Sequence, residues 1–105
     1  MSTMELNEAA MKIIMLAGDS REVINKAMKA TMADAPHAEV DALMKEAKAK
    51  VIEAHRIQTD IIQGTLQENV QSTLIFSHAQ DTLMAVYSEL NTFGHMIQIY
   101  RKLTS

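Results

Sequence analysis

A chain of 105 residues is long enough for one domain with one core and too short for two. Nearly half of it is apolar (48%), which excludes a disordered chain, and a net charge of −3 argues against a nucleic-acid partner, whose phosphates call for clustered Lys and Arg. There is no cysteine, so disulfides, thiolate catalysis and cysteine-based zinc sites are excluded, in keeping with a reducing compartment.

The N-terminal stretch MSTMELNEAAMKIIMLAGDS holds only a short apolar run. It follows Glu5 and Glu8 rather than a basic segment, unlike a signal peptide. No apolar stretch reaches membrane-spanning length, and a cytoplasmic location is the expectation. Helix one is predicted from about Thr3 to about Met32. Ala10, Ile13, Ile14, Ala17, Ile24, Ala27, Met28 and Thr31 mark a broad apolar face at helical spacing. Thr3 with Leu6 makes no capping box, so the sequence sets no sharp start. Gly18 costs roughly 1 kcal/mol against Ala inside a helix, and predicts a close backbone approach or a bend.

Asp34-Ala35-Pro36 ends helix one and opens helix two, with Pro36 in the first turn and Asp34 or Ala35 near the cap. Val40, Met44, Ala47, Val51, Ala54 and Ile61 carry helix two to about Gln63, and Gln58 interrupts that stripe. Gly64 suits the position just past a helix end, and Thr65-Leu66-Gln67-Glu68 matches a capping box. Helix three then runs from about Glu68 to Lys102. Residues 1–105 thus read as a single all-α domain, an antiparallel up-down-up three-helix bundle.

Helix three has two faces. Phe76, Ala79, Leu83, Val86, Leu90, Phe93, Ile97 and Tyr100 repeat at three-four steps and pack within the subunit. On the far side lie Val70, Leu74, His78, Asp81, Ala85, Ser88, Thr92, Met96, Ile99 and Leu103. A free surface helix carries Lys and Glu there; this one is small or apolar apart from one imidazole and one carboxylate. A helix apolar on opposite faces is buried on both, and one small subunit cannot cover both. Helix three is therefore expected to meet copies of itself, with His78 and Asp81 in or beside the seam. Carboxylates brought together there repel. Three answers are open: a cation such as Mg²⁺, protonation, or a wet rim. Three chains would supply three Asp81 carboxylates, half of an octahedron that water completes.

Two further polar segments, IEAHRIQTDII at 52–62 and AGDSR at 17–21, fall near one level of the bundle only loosely. Whether His55, Gln58 or Arg21 lines a site stays open, and His37 and His95 have no supporting pattern. His-x-x-Asp is a short and common spacing that assigns nothing by itself. No HExxH, no Glu-x-x-His and no phosphate-cradling glycine loop is present. From the residues alone, the chain is a helical oligomer with a candidate His/Asp site. A non-catalytic interaction module and a Mg²⁺-dependent enzyme are both open readings of it.

HAQDTLM at 78–84, preceded by TLIFS and followed by a helix ending IQIYRK, resembles the active-site helix of the enzyme IIA component of the lactose/cellobiose (chitobiose) class of bacterial sugar phosphotransferase systems. EAHRIQT at 53–59 and AGDSR at 17–21 resemble that family's other recurring segments, and the order and spacing agree over nearly the whole chain. The resemblance implies a homotrimer of nine helices and a phosphocarrier. His78 would take a phosphoryl group from the histidine phosphocarrier protein HPr, as tele-phosphohistidine, and pass it to the cysteine of enzyme IIB. The membrane component IIC acts later, during uptake of a disaccharide. Gln80 matches the glutamine beside the histidine, and Asp81 the aspartate on the trimer axis, where Mg²⁺ can bind. Met84 and Met96 would give the docking surface its adaptability. Thr82 stands where some relatives carry a second histidine, so no role for that group is implied. The connection MADAPHAEVD also departs from the acidic-Gly-aromatic turn associated with the family.

Overall fold

The computed structural model describes residues 2–68 and 73–105. Three helices follow in order: α1 (Thr3–Met32), α2 (His37–Glu68) and α3 (Leu74–Thr104), with no strand among the described residues. They form an elongated bundle of 54 × 18 × 17 Å. The predicted up-down-up order is the observed one. Val70, expected on the far face of α3, lies outside the described residues.

α1 starts one residue before the place tested for a capping box. Ser2 is the N-cap: its Oγ accepts from the Glu5 amide at 3.1 Å and donates to Glu5 Oε1 at 3.2 Å. Ser2-Thr3-Met4-Glu5 thus places a hydroxyl and a carboxylate on one helix end, where a negative charge also suits the macrodipole. At the other end, the Asp34 amide donates to the Thr31 carbonyl and the Ala35 amide to the Ala30 carbonyl, each at 3.0 Å. Asp34 sits at φ 57°, in the left-handed region that a helix end of this type requires. Its carboxylate accepts the Tyr100 hydroxyl, and Arg101 donates to Asp41 and to the His37 carbonyl. The C-terminal turn of α3 thereby pins the α1–α2 connection. Pro36 precedes α2 instead of lying inside it, and its carbonyl accepts from the Glu39 and Val40 amides.

Gly64 does not stop α2. The helix runs through it to Glu68, and no glycine has positive φ among the described residues. The Thr65–Glu68 pattern therefore lies within α2 and opens nothing. α3 begins at Leu74, capped by Thr73, whose side chain accepts from the Phe76 amide at 3.2 Å. Gly18 is also not a point of close approach within the subunit: a Cβ built there meets nothing within 4 Å.

The core joins the predicted stripes and adds Leu6, Leu16 and Val23 of α1, which the predicted stripe omitted. Leu6, Ala10, Ile13, Ala17 and Ile24 of α1 meet Ala47, Val51 and Ala54 of α2 and Phe76, Ala79, Leu83 and Val86 of α3. Two polar contacts set the register. The buried Ser20 hydroxyl donates to the Ala47 carbonyl at 2.8 Å, tying α1 to α2. Arg21 pairs with Glu89, tying α1 to α3. Gln58 lies on the core stripe of α2, and its Oε1 is buried with no hydrogen-bond partner among the described residues.

Candidate functional site

His78 stands in the second turn of α3. Helical side chains lean toward the N-terminus, so the imidazole lies toward the positive end of the helix macrodipole, an environment that favours an anionic group. Thr82 donates its hydroxyl to the His78 carbonyl at 2.8 Å, so the residue in the place of a second histidine spends its side chain on the backbone. His78 and Asp81 are both exposed.

The rest of the far face is exposed too. Ala85, Ser88 and Thr92 continue it, and Leu74, Met96, Ile99 and Leu103 remain 88%, 46%, 57% and 80% accessible. The inner stripe is buried, with Phe93 and Tyr100 half-buried at its flank. Both faces of α3 are thus oriented as predicted, and the outer one leaves a long, mostly apolar strip exposed. At its lower end it joins an apolar groove between α1 and α3, lined by Met28, Met32, Met96, Ile99 and Leu103.

Gln80 does not share a flank with His78. Two positions on, it turns to the opposite side of the helix and is half-buried. His55 lies on that same side, exposed in the α2–α3 groove with Ile52, Met84 and Tyr87. Arg21 is not at the level of His78. Its Nε and Nη2 donate to the two carboxylate oxygens of Glu89 at 3.0 and 2.6 Å, about 16 Å along α3 from His78. That bond raises the Arg21 pKa above its ordinary value. The expected loose convergence of AGDSR with the end of α2 and the start of α3 is thus absent. Sequence reasoning did not find Glu89 as the partner of Arg21, because a pairing across 68 positions leaves no local signal. Asp81 has no companions: among the described residues, no three His, Cys, Asp or Glu converge on a metal position.

The sequence family bears on the candidate classes. Residues 8–101 match the family described as the PTS system, lactose/cellobiose-specific IIA subunit. The chain belongs to this IIA family. The lactose-specific EIIA component of Staphylococcus aureus is 28% identical over 103 residues, spanning 97% of this chain and 99% of that one. The solved structure of PtcA from S. mutans superposes with a TM-score of 0.88 at 28% identity, covering 96% of this chain and 99% of its own. The IIA(Chitobiose) subunit of Escherichia coli, solved in complex with HPr, gives a TM-score of 0.85 at 28% identity over 95% of this chain and 97% of its own. This IIA-family chain is therefore a phosphotransferase-system component with the three-helix fold of its relatives. No helix among the described residues is long and apolar enough to cross a membrane.

Proposed function

We propose that the chain is a phosphocarrier in which Nε2 of His78 accepts a phosphoryl group from phospho-HPr and passes it to the cysteine thiolate of a cognate enzyme IIB. The observation that carries this reading is an exposed imidazole at the positive end of α3, on an apolar face, in a IIA-family bundle. A relative of the same fold is solved bound to HPr, which supports HPr as the donor.

Neutral imidazole is a competent nucleophile near pH 7. As the nitrogen–phosphorus bond of the donor phosphohistidine breaks, a new one forms at His78. In the second transfer that bond breaks and the IIB sulfur takes the phosphoryl group. Such transfers ask mainly for alignment and charge stabilisation. The helix end supplies the second, and docking on the apolar face supplies the first. The sugar, a disaccharide of the lactose, cellobiose or chitobiose type, does not touch this subunit. Its phosphorylation accompanies passage through IIC.

The carrier works as a homotrimer in this reading, with the exposed faces of three α3 helices turned inward. Asp81 of each copy would meet on the axis. One carboxylate from each chain would suit a shared Mg²⁺; the ion would offset carboxylate repulsion and takes no part in the transfer.

Incubation with enzyme I, HPr and phosphoenolpyruvate tests the assignment. One acid-labile phosphoryl group per chain is expected, and none on His78→Ala. Label retained by that variant, or none on the unmodified chain, leaves a non-catalytic oligomerisation module as the better reading.

A further inference from the structure

Asn7, near the start of α1, is half-buried, and its amide oxygen Oδ1 is buried with no hydrogen-bond partner among the described residues. An unpaired buried acceptor is costly, and in a native fold it calls for an explanation. The register of the bundle supplies one by placing Asn7 beside His78.

Arg21 and Glu89 touch across the α1–α3 seam. Asn7 precedes Arg21 by 14 residues and His78 precedes Glu89 by 11. These steps are close to four and three whole turns of about 3.6 residues, so both residues lie along the seam that the ion pair marks. Each is rotated slightly away from the core, by about 40° and 20°, and they share the outer flank of the seam. In height they differ by about 5 Å, with Asn7 nearer the N-terminal ends of the two parallel helices. Helical side chains lean toward the N-terminus, and the longer His78 side chain closes much of that gap as it turns away from Thr82. The Thr82 hydroxyl proton is already given to the His78 carbonyl. On α1 this flank continues through Met11, Ile14 and Gly18, so Asn7 brings the one amide or carboxylate to it between Thr3 and Arg21.

We infer that Asn7 is a positioning residue for His78: its Oδ1 accepts the Nδ1–H of the imidazole and leaves Nε2 bare to take the phosphoryl group. The inference rests on the carrier reading and deepens it. The two groups are not bonded in the isolated subunit, and rotation of the two side chains closes the contact; hydrogen bonds at a reaction centre are often long before the reactants meet. A neutral imidazole has one N–H, and the bond that this N–H makes decides which nitrogen carries it. Free in water, the ring holds its proton mostly on Nε2, the nitrogen that has to attack phosphorus. An acceptor at Nδ1 reverses that preference. During transfer the bond from phosphorus to the donor nitrogen breaks and the bond to Nε2 forms, while the proton stays on Nδ1. The ring gains positive character, and its N–H donates more strongly. An amide oxygen suits this task because it accepts a hydrogen bond and does not take the proton. The unpaired oxygen is then a loss of stability kept for the sake of the reaction.

Two-bond proton–nitrogen couplings in isotope-labelled protein, in mildly alkaline buffer, read the tautomer of His78 directly. The Nδ1–H form is expected in the unmodified chain, and Asn7→Leu should move the ring toward Nε2–H. The same variant should slow phosphorylation by phospho-HPr about tenfold, the worth of one hydrogen bond. Its urea midpoint should stay equal or rise, because the orphan oxygen is gone. Asn7→Gln keeps an amide on a longer arm and should recover most of the rate. An Nε2–H ring in the unmodified chain, or a tautomer unchanged by Asn7→Leu, would overturn the inference. So would a slower rate in Asn7→Leu that follows a loss of stability and is not recovered by Asn7→Gln. If the unmodified chain takes no phosphoryl group at all, the carrier reading fails, whereas the tautomer still decides the hydrogen bond without any partner protein.

Discussion

The Arg21 guanidinium grips Glu89 with two parallel hydrogen bonds, which join α1 to the parallel α3. Both side chains are partly solvated, 43% and 30% accessible, so the pair is worth about 1 kcal/mol or less. Arg21→Ala should lower the urea midpoint by that amount. Arg21→Lys should fare nearly as badly, because an ammonium cannot reproduce the fork. A double-mutant cycle with Glu89→Ala checks the coupling, and a value near zero would show that packing alone sets the register.

Gln58 occupies a core position with its amide oxygen buried and unpaired among the described residues. An unpaired buried acceptor costs about 1–3 kcal/mol. Gln58→Met, similar in volume and without polar atoms, should therefore stabilise the subunit by about 1 kcal/mol in chemical denaturation. A loss of stability would mean that the oxygen has a donor in solution, such as ordered water.

Tyr100 donates its hydroxyl to Asp34, and this bond raises its pKa above the usual tyrosine value, with burial and the carboxylate charge adding to the shift. The neutral phenol is the form the fold favours. Its contribution is complete below the unfolded value of about 10 and disappears as pH rises through the folded one. The chain has two tyrosines. In Tyr87→Phe the remaining phenol should titrate above the ordinary range by ultraviolet absorbance, and Asp34→Asn should bring it down. An ordinary midpoint in both would exclude the clamp.

Asp81 is the one acid on the exposed face of α3. If three copies converge there, Asp81→Asn or Asp81→Leu removes mutual repulsion and should leave association equal or tighter by analytical ultracentrifugation. Dissociation of these variants, matched by dissociation of the unmodified chain under EDTA, would show that a cation holds the copies together.

The core of this fold is written plainly because its spacing is periodic: every inner position of α3 from Phe76 to Ile97 is buried or half-buried as the three-four steps require. Ends and glycines are harder. Gly64 and Thr65–Glu68 carry local signatures of a helix stop and start, yet α2 runs through them without a break to Glu68. The real caps, Ser2 and Thr73, follow from single hydroxyls whose role depends on where the neighbouring helix begins. At the site, the outward placement of His78 and Asp81 was legible from periodicity. The positions of Arg21, His55 and Gln80 relative to His78 were not, because they depend on how far each helix slides along the next. That sliding is fixed by Ser20–Ala47 and Arg21–Glu89.

The clamp formed by Asp34, Tyr100 and Arg101 lies at the opposite end of the bundle from His78. Ser105 lies beside the clamp, whereas α1 begins at the His78 end of the bundle, about two turns beyond the level of His78. Fusions, fluorophores or surface tethers attached after Ser105 should leave the docking surface open. The same attachments ahead of α1 would stand in the path of any protein approaching His78.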